Sequence, residues 1–380
     1  LESAIKTIRE KQGSGSPLVE DEKLAEEFNK FDQRLKDGDK AVLDEIVDFY
    51  KNISGGHVQK MEFYKWLQNH QSALAAKAQL KIGLDWKMVV PELVAIAKGE
   101  SSYGNPYSAA RQLHELAFQY TLGGLTNVPR EVIFEAEKAW QENPGLTHFL
   151  APVTLPEFPI VKEGQKPGYL VIERHGQASF SEDVYNRWAG WLNSLITVKG
   201  REEARDGGKK LQGVRFDEAY SSDLSRAVNT LDEFLIGIGQ TDIPRKETKA
   251  LREKNYGWLG GQSRKDLEEL FGKEQFTQWR RAINGRVPLG ESLADTKERT
   301  GKYVLEEILP AIATGKNVVI SAHGNSLRSL LVILREHTLG RMLNDEEIIK
   351  LEVPNSVPIA IRFDTQLKHE EMWSNQNSPE

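Results

Sequence analysis

A chain of 380 residues with 39% hydrophobic and 28% charged residues has room for two or three globular domains, each with its own core. Its net charge of -6 argues against a nucleic-acid or anionic-membrane binder as a whole, while leaving room for a local basic pocket. The lack of cysteine excludes a disulfide framework, a thiol nucleophile and a thiolate metal site, and fits a reducing, cytoplasmic setting.

In chain order, the first residues, Leu-Glu-Ser-Ala-Ile-Lys, carry no signal-peptide core and no initiator Met, which points to a trimmed end. Gly13-Ser14-Gly15-Ser16 reads as a flexible joint. Residues 1–150 read as an all-helical domain of unknown role. Leu24, Phe28, Phe31 and Leu35 recur at helical spacing behind the acidic start Glu20-Asp21-Glu22; Leu43, Ile46, Val47 and Tyr50 do the same, as do Leu113, Leu116, Ala117 and Tyr120. Turns at Ser54-Gly55-Gly56 and Gly104-Asn105-Pro106 separate these segments. Thr126-Asn127-Val128-Pro129 reads as a cap with an early-turn proline, opening a helix through Trp140. Trp66, Trp86 and Trp140 read as helix-packing anchors. Apolar stretches such as Val89–Ala97 are too short to span a bilayer.

Residues 151–168 gather Pro152, Pro156, Pro159 and Pro167 with Gly164 and Gly168, and read as a linker or extended strap. From 169 to 380 the pattern alternates. Strands end at Tyr169–Ile172, Ala219–Ser222 and Asn317–Ser321; helices read over Arg201–Leu211, Leu224–Leu235 and Ser326–Arg335. Short apolar strands alternating with helices predict an α/β three-layer sandwich with a mostly parallel sheet. Ligands of such sheets sit beyond the carboxyl ends of the strands. Arg174-His175-Gly176 and His323-Gly324-Asn325 each directly follow a strand, so both histidines belong at one edge.

A neutral imidazole attacks phosphorus and passes the group on. Arginine forks match phosphate oxygens, and a protonated carboxyl serves a leaving oxygen. His57, His70, His114, His148, His337 and His369 lie in no motif and read as ordinary surface or core residues, with no metal-ligand spacing among them. Arg280-Arg281 read in isolation would be a solvated helix face.

Six segments occur in order: RHGQ (174–177), YSSDLSRA (220–227), LREKNYGWLGG (251–261), QFTQWRRAI (275–283), PLGESLADT (288–296) and SAHGNSLRSL (321–330). Together they resemble the histidine phosphatase superfamily, and most closely its cofactor-dependent phosphoglycerate mutase branch. The resemblance implies His175 as phospho-acceptor, with Arg174, Arg226 and His323 lining the phosphate pocket and Gly324 and Asn325 beside it. It puts Glu253 in the proton donor's place. Tyr256, Arg264, Arg280 and Arg281 fall where mutases hold the rest of the substrate, with Gln177 and Ser222 as lesser contacts. Arg264 stands in place of a lysine.

There are departures. Ser181 falls where mutases carry an Asn, and Asn186 is the nearby candidate to replace it. An excursion that helps to close the pocket in many mutases is missing between Arg281 and Pro288. The implied activity is glycolytic interconversion of 3- and 2-phosphoglycerate, primed by 2,3-bisphosphoglycerate and without metal. The alternatives are a phosphomonoester phosphatase (a hydrolase) of the same superfamily, or an interaction and regulatory protein using the helices. The expected partners are a small phosphorylated substrate, no nucleic acid and no membrane, with a protein partner or self-association through residues 1–150 left open.

Overall fold

The computed structural model describes residues 18–53, 56–181 and 184–374. The Gly13–Ser16 joint and part of the Ser54–Gly56 turn lie outside them.

The sheet is built from six strands: β1 (Leu170–Arg174), β2 (Glu218–Ser222), β3 (Arg245–Thr248), β4 (Val318–Ala322), β5 (Ile359–Phe363) and β6 (His369–Ser374). Their order is β3-β2-β4-β1-β5-β6. The first four run parallel, and β5 and β6 pair antiparallel at one edge. Side chains alternate between the two faces. Leu170, Ile172, Ile320 and Ala322 share one core with Leu327, Leu330 and Leu331 of the helix Gly324–Leu339. Val171, Ala219 and Val319 face Leu231, Phe234 and Leu235 of the helix Ser225–Ile238. The fold is therefore an α/β sandwich preceded by helices, as the alternation predicts.

Seven α-helices precede the sheet among the described residues: α1 (Leu18–Lys36), α2 (Val42–Lys51), α3 (Gly56–Asn69), α4 (Ala73–Ile82), α5 (Trp86–Ala97), α6 (Pro106–Gln119) and α7 (Arg130–Glu142). The predicted apolar stripes are buried, Leu24, Phe28, Phe31 and Leu35 among them. Trp66 stacks on Phe28 with ring centroids 4.8 Å apart, and Trp140 is buried. Tyr120 departs from its stripe. It ends α6 in a left-handed conformation and is exposed, because the helix stops one residue before it. Pro129 is itself the residue before α7 and caps nothing with a side chain. Asn105 does cap α6, accepting from Tyr107 N and Ser108 N.

The helices after the sheet's first strand are α8 (Val198–Lys209), α9 (Ser225–Ile238), α10 (Arg264–Arg281), α11 (Leu293–Tyr303), α12 (Leu309–Ala313), α13 (Gly324–Leu339) and α14 (Asp345–Ile349). α8 begins three residues before the predicted start because Thr197 caps it through Gly200 N. α13 begins at Gly324 rather than Ser326, directly on His323. α10 is broken at Gly272, whose φ of 80° is non-helical.

Residues 151–168 hold no helix or strand, and Leu155, Phe158 and Val161 among them pack against the sheet's core. The helical region is not packed by itself alone. α1 to α4 share one core with Trp188, Trp258, Leu259, Phe276 and Trp279. α5 to α7 share another with Leu289.

Candidate active site

The site lies at the carboxyl ends of the parallel strands. β1 delivers Arg174 and His175, and β4 delivers His323. The His175 backbone N–H donates to Ala322 O at 3.0 Å, which ties the two strand ends together. The imidazole rings lie 5.1 Å apart between centroids. His175 Nδ1 is 2.8 Å from Gly176 O. Nδ1 therefore carries the proton and donates, which leaves Nε2 with its lone pair. The loop after His175 presses on α8: a Cβ at Gly176 would lie 2.3 Å from Gly200 O, so only glycine fits.

Burial, then the charges of Arg226 and Arg174, hold the His175 pKa well below its ordinary 6.5. Burial, Arg226 and His175 do the same to His323. Both rings are neutral near pH 7, as nucleophilic attack requires. Arg226, from the first turn of α9, is fully buried. It donates to Gly190 O and Leu192 O, each at 2.7 Å, and burial lowers its pKa to about 10. Arg174 donates to Val353 O at 3.2 Å. His323 Nδ1 and Nε2, Arg174 Nε and Arg226 Nε make no hydrogen bond within the protein.

Glu253 comes from the loop between β3 and α10. Its Oε1 accepts from Lys254 N at 2.8 Å and from Asn325 N, in the first turn of α13, at 3.0 Å. Tyr256 stands edge-on to Trp188 with ring centroids 4.0 Å apart, and its hydroxyl accepts from Asn325 Nδ2 at 3.0 Å. Burial, then the Glu253 charge, pushes the phenol up to about 12. α10 supplies Arg264 at its start and Arg280 and Arg281 at its end, and Arg281 lies 3.6 Å from Glu352.

These groups line one cleft of about 590 Å³. It brings together Arg174, His175, Arg226, Glu253, Tyr256, Arg264, Arg280, Arg281, Gly324 and Asn325 of the residues expected from sequence. His323 is buried and does not line the cleft. Gln177 does not line the cleft; its Oε1 accepts from Thr197 Oγ1 at 2.7 Å. Ser222 is buried under the site with its Oγ accepting from Leu224 N. Ser181 lines the cleft; Asn186, five residues on, does not, its backbone carbonyl accepting from Arg264 N while its side-chain Oδ1 has no hydrogen-bond partner.

Sequence reasoning missed Arg328. It lines the cleft, donating to Asn325 Oδ1 at 2.9 Å and Leu351 O at 2.8 Å. Its position one helical turn after Gly324 was a usable signal. The wall Glu352–Asn355 was also missed, and it follows no motif. The cleft therefore presents six arginines to two carboxylates, Glu253 and Glu352. That balance suits a small ligand with more than one anionic group. Among the described residues no cluster of three His, Asp or Glu side chains is placed for a metal, and no helix is long and apolar enough to cross a membrane.

The sequence profile of the histidine phosphatase superfamily (branch 1) matches residues 170–355. The 2,3-bisphosphoglycerate-dependent phosphoglycerate mutase of Bradyrhizobium diazoefficiens is 41% identical over 196 residues, covering 51% of this chain and 91% of that protein. The chain belongs to the histidine phosphatase superfamily. A second mutase so named, from Gloeobacter violaceus, is 41% identical over 191 residues, covering 50% of this chain and 84% of its own. Among solved structures, Bacillus stearothermophilus YhfR is similar at a TM-score of 0.47 and 22% identity, covering 56% of this chain and 98% of its own. The alpha-ribazole phosphatase of Shigella flexneri is similar at 0.46 and 21%, covering 55% and 96%. The superfamily match leaves the helices of residues 18–150 outside it.

Proposed function

We propose that this chain interconverts 3- and 2-phosphoglycerate through a phosphohistidine at His175, primed by 2,3-bisphosphoglycerate. The carrying observation is the set of six arginines, Arg280 and Arg281 among them, that line one cleft with His175. A ligand with a phosphoryl group at one end and a carboxylate or second phosphoryl at the other meets a cation at each.

His175 Nε2 attacks the phosphorus of the bound bisphosphate. The N–P bond forms as the P–O bond breaks, and Glu253 passes a proton to the departing oxygen. Arg174 and Arg226 hold the phosphoryl oxygens throughout, with buried, fixed charges that need no reorganisation. The monophosphate turns within the cleft, still held by the far arginines. Its other hydroxyl then attacks phosphorus, Glu253 takes that proton back, and free His175 returns. The mutase names of the relatives support this reading.

The test is incubation with labelled 2,3-bisphosphoglycerate. Label is expected on His175, with transfer to phosphoglycerate, and none in His175→Ala. No isomerisation of 3-phosphoglycerate even with the primer present would sink the proposal. A phosphatase reading is favoured by two features. Ser181 replaces the usual Asn, and the connection after Arg281 is a tight turn at Gly285 instead of a cover. Loss of label to water as inorganic phosphate, outpacing transfer to phosphoglycerate, would select it.

A further inference from the structure

The loop that carries Glu253 and Tyr256 is gripped largely by the helical half of the chain. Tyr103, in the turn between α5 and α6, directs its hydroxyl at Gly257 O, 2.8 Å away, and at Gln68 Oε1, 2.9 Å away. Gln68, wholly buried in α3, donates to the same Gly257 O at 3.1 Å. Tyr64 donates to Trp258 O at 3.2 Å. In return, Asn255 Nδ2 donates to Tyr103 O at 2.6 Å, and Trp258 Nε1 donates to Gly83 O at 3.0 Å. Gly257 holds a φ of 44°, and a Cβ there would meet Pro288 O at 2.3 Å. The loop is thus clamped between the helices and residues 288–290.

A second grip runs through Glu291, which is completely buried. Asn105 Nδ2 donates to its Oε1 at 2.9 Å, and Asn255 N to its Oε2 at 2.9 Å. Arg299 binds both oxygens, at 3.0 and 2.9 Å, and also donates to Glu253 O at 3.2 Å. Ser108 and Gln112 of α6 donate to Gly290 O at 2.6 and 2.8 Å. Two residues of one turn, Tyr103 directly at Gly257 and Asn105 through Glu291 at Asn255, therefore hold the chain just after the proton donor. Buried carbonyls and carboxylates keep such partners because leaving them unpaired is costly. A shift of the loop would move the Glu253 carboxyl off the leaving oxygen, and displacements of about 1 Å are enough to slow a reaction severely.

We infer that the helical half is an intramolecular positioning element for the site, with Tyr103 and Asn105 as positioning residues that aim Glu253. The inference rests on the phosphoryl-transfer reading above. It predicts a signature that loosened packing alone does not give. Loss of proton donation matters for an alkoxide leaving group and hardly for a nitrophenolate, which departs unprotonated.

The experiment compares the rate of His175 labelling from 2,3-bisphosphoglycerate and from p-nitrophenyl phosphate, in the full chain. Glu253→Gln sets the scale of the split between the two donors. Tyr103→Phe removes the hydroxyl bonds alone. It is expected to slow labelling from the bisphosphate about 10- to 100-fold, part of a general acid's full effect, and from the nitrophenyl ester by no more than about 3-fold. Asn105→Ser keeps a capping side chain on α6 and removes the donor to Glu291, so the same split is expected. Equal losses with both donors, or no loss with either, would overturn the inference. So would failure of both variants to fold, judged by their melting curves. A wild-type chain labelled by neither donor would instead overturn the phosphoryl-transfer reading.

Discussion

The chemistry of single residues here is set by burial. His175 is held neutral by its surroundings and by two arginines, which moves its protonation well below 6.5. For a nucleophile that works deprotonated, the acid limb of kcat/KM should then lie below the ordinary histidine range. A pH profile showing rate loss centred near 6.5 or above would contradict this. Glu173 is the opposite case. It precedes Arg174 on β1, neither carboxyl oxygen has a hydrogen-bond partner, and burial holds its pKa well above the ordinary 4.5. The native state therefore keeps a proton that the unfolded chain has lost. Stability should fall as pH rises above 4.5 toward the folded pKa, by up to about 1.4 kcal/mol per pH unit. Glu173→Gln carries no titrating group, so its melting temperature should gain on wild type between about pH 5 and pH 7. A constant difference across that range would show that Glu173 titrates normally.

At the scale of elements, the site depends on where helices begin and stop. α13 starts directly on His323, so the Asn325 N–H in its first turn reaches Glu253. α10 ends at Arg281 because the chain turns at Gly285, where a Cβ would lie 1.9 Å from Gln278 O. Buried Lys254 ties this turn to the Glu253 loop, donating to Trp279 O at 2.7 Å and Gly285 O at 2.8 Å. Gly285→Ala should displace Arg280 and Arg281 from the far end of the substrate. The expected result is a KM for phosphoglycerate raised by about tenfold or more, as one lost charged contact implies, with His175 still labelled. An unchanged KM would detach that turn from substrate binding. His175 and His323 were legible in the sequence because each follows a strand, while Arg280 and Arg281, at the end of α10, were legible only through the resemblance of their segment to the superfamily. Arg328 was legible only in part, since its helical phase was visible but its neighbours were not.

At the scale of the whole molecule, the N-terminal helices share cores with α10 and loops of the α/β part. Trp188, Trp258 and Trp279 belong to the α/β part, yet they are buried against α1 to α4. Trp279 Nε1 also donates to Gly123 O at 2.7 Å. Calorimetry of the full chain should therefore show one cooperative transition; two well-separated transitions would refute the shared core. A fragment of residues 169–380 should be insoluble or molten, because these side chains would face water. A soluble fragment with a sharp melting transition would show that the α/β part needs no cover.

The sequence by itself determined the strand and helix alternation, the helical character of residues 18–150 and the residues that meet around His175. The elements, and the placement of His175 and His323 at one edge, follow from local periodicity and strand ends, which short-range sterics and burial impose; the other site residues were read from the resemblance of six ordered segments to the superfamily. Tertiary structure alone decided that the helices pack onto the loop of Glu253 and Tyr256, that Glu352–Asn355 forms a wall, and that Tyr103 meets Gly257 and Asn105 meets Glu291. Those contacts join residues more than 150 positions apart, and no local pattern encodes which distant carbonyl a buried hydroxyl or amide will meet. His175, the nucleophile in this reading, was legible from its own tripeptide and its companions, while the hold on its proton donor was not.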